Sequence, residues 1–126
     1  MRTPEQICGE ITKMKLLTKK ILNQFKKVKK ENKKVIVKFF THGRWTWFAT
    51  ELKDIVKDKD GKIIDGRFFG YVISGIDPDY DEWGYFSLQE FISNKIERDL
   101  YFKPCHIDEA IKKQKRNMGE TIEKTI

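Results

Sequence analysis

The fold turns on KVIVKFFTHGRWTWFATE, residues 34–51. Val35, Val37 and Phe39 alternate with Ile36, Lys38 and Phe40, so Lys34 to Thr41 reads as a well-buried strand. His42-Gly43 is a turn signal. Trp45 and Trp47 then fall on one face and Thr46, Phe48 and Thr50 on the other, which predicts a second strand over Arg44 to Glu51 and an antiparallel hairpin. Upstream, the pattern is helical. Leu17, Ile21, Phe25 and Val28 are spaced by three and four within Leu16 to Lys30, with Thr18 available as a cap. Before it, Thr3-Pro4-Glu5-Gln6 has the residues of a helix start, and Ile7, Ile11 and Met14 make one stripe of a helix over Thr3 to Lys13.

Downstream, Asp58-Lys59-Asp60-Gly61 is a second turn between the short apolar pairs Ile55-Val56 and Ile63-Ile64. A long strand over Arg67 to Ser74 follows, in which Gly70 marks a bulge or a place where a large aromatic neighbour needs room. After the acidic loop come Trp83-Gly84-Tyr85-Phe86 and the capping box Ser87-Leu88-Gln89-Glu90, which opens a short helix to about Asn94. Ile96 to Lys103 reads as a last strand stopped by Pro104. The final helix, from Ile107 to about Asn117, docks through Ile107, Ala110 and Ile111, and Gly119 ends it. The expected class is α+β. A twisted antiparallel sheet of about five strands is flanked by N-terminal helices, one short inserted helix and a C-terminal helix.

The chain has 126 residues, enough for a single domain over 1–126. Nine Phe, four Tyr and three Trp exclude wholesale disorder. No apolar run nears the roughly 18 residues that span a bilayer, and no leader pattern is visible, so the expected location is cytoplasmic. Cys8 and Cys105 lie far apart and read as small buried apolar residues. The formal charge of +7 is unevenly placed: residues 1–40 hold 12 basic and 3 acidic side chains, whereas residues 41–104 hold 9 and 12. Its densest part is Lys26, Lys27, Lys29, Lys30, Lys33 and Lys34. Such a cluster attracts phosphate or an acidic protein surface, or simply solvates a helix end. Lysines act as point charges without the arginine fork, so nucleic acid would be held there without regard to sequence.

No reactive constellation is legible. Asp77, Asp79 and Asp81 have the first spacings of a calcium loop, but Glu82 stands where glycine is needed and Leu88 where the bidentate acid belongs. These four acids make a solvated turn or a surface for a basic partner. His42 and His106 belong to no recognisable motif. Glu97 and Asp99 alternate with Arg98, which suggests a structural ion pair. Neither a metal nor a cofactor is expected. The aromatics carry more weight: three or four helices do not cover both faces of the sheet, and one face is left open. Exposed aromatics bordered by Arg44 and Arg67 can stack on bases or anchor a protein interface. Trp45 and Trp47 are the first candidates.

Five strings, MKLLTKKI at 14–21, KFFTHGRWTWFATEL at 38–52, FFGYVISG at 68–75, EWGYFSLQEF at 82–91 and ERDLYFKP at 97–104, together resemble the bacterial family known as domain of unknown function 2958. The likeness spans about Met14 to Pro104, leaving residues 1–13 as an extension and 105–126 as a C-terminal helix and tail. His42 replaces the proline that family members often carry after KFFT. Members have no established activity and travel on plasmids, conjugative elements and phages. The resemblance therefore implies a non-catalytic accessory of a mobile element. The expected role is an anti-CRISPR-type inhibitor that binds a host nucleic-acid-guided nuclease, a defence protein or ribonucleoprotein, or its RNA. The alternative is an accessory of transfer or replication that binds RNA or single-stranded DNA.

Overall fold

The computed structural model describes residues 16–41 and 45–124, excepting the side chains of Lys30 and of 116–124. The helix expected over Thr3 to Lys13, Cys8 and the His42-Gly43 turn lie outside the described residues. The fold is α+β. Five strands form an antiparallel sheet in the order β5-β4-β3-β2-β6. They are β2 (Val37–Phe40), β3 (Thr46–Lys57), β4 (Ile63–Ile73), β5 (Glu82–Ser87) and β6 (Glu97–Arg98). A separate two-stranded pair joins β1 (Lys34–Val35) to β7 (Cys105–His106). Among the described residues, three further elements are helices: α1 (Lys19–Lys27), α2 (Leu88–Ser93) and α3 (Ile107–Lys124).

The inner face of the sheet is covered by α1 and α2. Thr18 caps α1, its Oγ1 accepting the N–H of Ile21 at 3.2 Å, so the helix begins after Leu16 and Leu17 and not at them. Ile21 and Phe25 of α1, Leu16 ahead of the cap, and Leu88 and Phe91 of α2 pack on Val37, Phe39, Ala49, Phe68 and Phe86. Phe91 is central: its ring centroid lies 4.7 Å from Phe39, 5.3 Å from Phe86 and 6.0 Å from Phe68. Burial of these rings supplies most of the hydrophobic drive, at about 25 cal/mol per Å². The outer face has a smaller core, in which Ile107 and Ala110 of α3 meet Val35, Phe48 and Ile73.

Several expectations are corrected. The strand over Lys34 to Thr41 is two strands broken at Ile36: Val35 packs in the outer core, whereas Ile36 and Val37 both pack in the inner one. The amide of Ile36 still donates to the Ala49 carbonyl at 2.9 Å, so the break redirects β1 towards β7 without freeing the chain. The hairpin strand runs on to Lys57 and the next begins at Ile63, because the Asp58 turn joins the two apolar pairs into one long hairpin. Asp58 Oδ1 accepts the N–H groups of Asp60 and Lys62, each at 2.9 Å, and Gly61 takes φ +82°. The strand expected over Ile96 to Lys103 lasts only two residues. Asp99 still donates its N–H to the Lys38 carbonyl, but its carboxylate accepts the Tyr101 N–H at 2.9 Å and turns the chain away. Helix α3 passes through Gly119, since glycine costs a helix interior about 1 kcal/mol but does not by itself stop it. Cys105 is half-buried, not buried.

Gly70 sits at a bulge, as expected, but what needs the room is backbone and not an aromatic ring. A Cβ built on it would lie 1.8 Å from the Phe48 carbonyl oxygen. Opposite, the register of β3 and β4 shifts between Ala49 and Glu51, leaving Thr50 as the extra residue, with its Oγ1 donating to the Phe69 carbonyl at 3.1 Å.

Candidate nucleic-acid interface

The Thr50 bulge decides which side chains share the outer face. Before it, Phe48 points outward opposite Tyr71; after it, Glu51 pairs with Phe69 and Lys53 with Arg67, while Leu52 turns inward opposite Phe68. Had the alternation of Trp45 and Trp47 continued unbroken, Lys53 would face the inner core. Across β4, Phe69 is opposite Tyr85 and Tyr71 opposite Trp83. The four aromatics form one strip: Phe69 stacks on Trp83 at 5.6 Å and lies 4.9 Å from Tyr85, and Tyr71 meets Trp83 edge-on at 5.5 Å. Tyr71 packs against the outer core that α3 joins through Ile107 and Ala110. Trp83 remains 37% and Tyr85 56% exposed on β5, which is an edge strand.

Among the described residues, three cations border the strip. Lys33 Nζ lies 5.9 Å from the centre of the Trp83 ring. Lys53 Nζ lies 4.7 Å from that of Tyr85 and bonds its hydroxyl at 3.2 Å, and the Arg67 guanidinium lies 4.8 Å from the same ring. Arg67 also pairs with Asp54 at 2.7 Å, Glu51 brings a second carboxylate to this face and Asp81 a third beside Tyr71, so the cations are matched by acids and the strip is not strongly charged. Lys33, with φ 47°, accepts the Ile107 N–H on its carbonyl, which anchors it at the start of α3. Burial, and then the charge of Asp81, raise the Tyr71 hydroxyl above its ordinary pKa.

Of the residues singled out from sequence, Lys33 and Arg67 join this strip. Lys26, Lys27, Lys29 and Lys34 are exposed, and Lys27 and Lys34 line a separate hollow of about 260 Å³ with Gln24 and Asn32. The side chain of Lys30, and Arg44 altogether, lie outside the described residues. Trp45 and Trp47 belong to the opposite face: both are half-buried, and Trp47 meets Phe91 edge-on at 5.0 Å. Trp83 and Tyr85 are among the sheet aromatics that the sequence offers, behind Trp45 and Trp47, whereas Lys53 is no candidate from sequence. The alternation of Trp83 with Tyr85 was the signal for the first two, while Lys53 depends on the bulge.

The acidic loop is tied by its own carboxylates. Asp81 Oδ1 accepts the Ser74 N–H at 2.9 Å and Asp77 Oδ1 that of Asp79 at 3.0 Å, closing the short 3₁₀ turn Pro78–Tyr80. Asp79 and Glu82 point to solvent. Asp99 pairs with Lys38 of β2 at 3.6 Å. His106 Nδ1 accepts the Asp108 N–H at 3.1 Å, and His42 lies outside the described residues. Burial, reinforced by Glu109, raises the Cys105 thiol, which keeps it protonated and weakly nucleophilic at neutral pH. Among the described residues, no three His, Cys, Asp or Glu side chains converge as a metal site would require, and no helix is long and apolar enough to cross a membrane.

Comparison with protein-family models, curated proteins and solved structures finds no match to this chain.

Proposed function

We propose that this protein is a non-catalytic binding protein that engages single-stranded nucleic acid on the open face of β3, β4 and β5. The observation that carries the reading is the exposure of Trp83 and Tyr85 beside Lys33, Lys53 and Arg67 on one sheet face. Exposed aromatics offer stacking surface to any unpaired base, at about 1–3 kcal/mol per base. The neighbouring cations meet the phosphates, and Arg67 does so with a planar fork. Duplex DNA hides its base faces and would gain only the charge term. We propose, in line with the resemblance, that this activity serves a mobile element. There, the single strand is either the RNA of a host nucleic-acid-guided nuclease, which makes the protein a counter-defence inhibitor, or an intermediate of transfer or replication.

Fluorescence anisotropy with labelled dT₂₀ and U₂₀ oligonucleotides over a salt series tests the binding itself. Affinity falls as salt rises, and a Lys33→Ala, Lys53→Ala, Arg67→Ala variant shows a log–log slope shallower by about 2, from three cations at roughly 0.7 per phosphate for single strands. Absence of binding at low salt disposes of the reading. Cleavage assays with guided nucleases then separate the two biological roles, since only the inhibitor suppresses cleavage.

A further inference from the structure

On the inner face, away from the strip, a trough of about 290 Å³ is lined by Trp45, Trp47, Glu90, Phe91, Asn94 and Ile96. Its aromatic wall is built in advance. The rings of Trp45 and Trp47 lie 22° from parallel with centroids 6.3 Å apart, and Phe91 holds Trp47 from behind. Its rim belongs to α2. Ser87 Oγ caps that helix by accepting the Glu90 N–H at 3.1 Å, and Asn94 Nδ2 donates to the Glu90 carbonyl at 2.8 Å, which fixes Glu90 and Asn94 one turn apart. The Glu90 carboxylate forms no ion pair among the described residues and is exposed.

Indole faces with a carboxylate at their edge favour a cation and disfavour a phosphate-bearing ligand. The volume suits one side chain. We infer that this trough receives an arginine of a partner protein, its guanidinium stacked on Trp45 and Trp47 and paired with Glu90. Arginine is favoured over lysine because a planar, weakly hydrated cation can lie against an indole and still present N–H groups in its plane to a carboxylate. The chemistry is opposite to that of the strip, where cations of this chain await an anion. The two faces thus suit different partners, and this inference stands whether or not the strip binds a single strand.

The test follows the three indole N–H resonances of the ¹⁵N-labelled full chain, assigned by Trp45→Phe and Trp83→Phe, during titration with acetyl-Gly-Arg-Gly-amide. The Trp45 and Trp47 signals shift saturably while Trp83, on the other face, stays in place. The analogue with glutamine in place of arginine gives no saturable shift. Glu90→Gln, which keeps a residue suited to its helix position, weakens the arginine response by about five-fold or more. Equal response to the glutamine peptide would reduce the trough to an apolar surface and overturn the assignment. So would indifference to Glu90→Gln, the absence of any shift, or tighter binding of guanosine monophosphate than of the arginine peptide.

Discussion

Replacing Gly70 by alanine probes the feature that gives the outer face its composition. The added methyl group would lie 1.8 Å from the Phe48 carbonyl oxygen, 2.8 Å from its carbon and 3.0 Å from Ala49 Cα. All three are backbone atoms, so no side-chain rotation relieves the clash. An ordinary contact needs β3 and β4 to part by more than about 1.5 Å, a large fraction of the roughly 4.8 Å between neighbouring strands. That displacement forfeits about two ladder hydrogen bonds at about 1 kcal/mol each, with about 1–3 kcal/mol of strain in the surrounding core. The expected loss is about 3–5 kcal/mol, a large share of a typical domain's stability. At about 2.1 cal/mol/K per residue it lowers the melting temperature by about 10–20 °C. Gly84, directly opposite on β5, is the control: a Cβ there meets nothing within 4 Å. Gly84→Ala should leave the melting temperature unchanged or slightly raised, since alanine loses less conformational entropy on folding. Calorimetry or circular dichroism on both variants gives the comparison. A Gly70→Ala protein that melts with the parent would refute the reasoning, as would a Gly84→Ala protein that melts far below it.

Two further outcomes follow from local contacts. Ser87→Ala removes the hydroxyl that accepts the Glu90 N–H, and urea unfolding should show a loss of about 1 kcal/mol, whereas Ser87→Thr should retain most of the stability. The Tyr71 hydroxyl is held above its ordinary value of 10.0 by burial and by Asp81. A raised folded pKa favours the neutral form, so its contribution is complete below about pH 10 and is lost as pH rises through the folded value. Tyr71→Phe should therefore lose less stability than the parent between about pH 8 and about pH 11, and equal losses would show that this hydroxyl does not titrate against the fold.

The α+β class was legible because alternation, turn residues and capping residues agree with one another along most of the chain. Thr18, Asp58-Gly61 and Ser87 act locally, and the structure uses each as their chemistry suggests. What alternation cannot report is an interruption of itself. The break at Ile36 and the bulge at Thr50 each change which residues face inward, and both depend on the partner strand. Asp99 had the residue type to end a strand, but only the turn it closes by accepting the Tyr101 N–H shows that it does so. An open face agrees with expectation, but Trp45 and Trp47 lie on the other one. Trp45 and Trp47 border a polar turn in sequence, while in space α2 lies against them through Phe91. Trp83 and Tyr85 sit exposed on an edge strand, a fact of topology that no local pattern carries.

The most direct test of the open strip as a working surface is the affinity of Trp83→Ala, Tyr85→Ala for dT₂₀, measured beside Tyr101→Ala. Tyr101 is 91% exposed and lies in a turn after β6, at the opposite edge of the sheet, so it controls for general aromatic adhesion. Losing two stacking platforms at about 1–3 kcal/mol each should weaken binding by about 30-fold or more, with the Tyr101 variant matching the parent. If the double variant binds as tightly as the parent, or if Tyr101→Ala weakens binding as much, the strip is not where the strand lies.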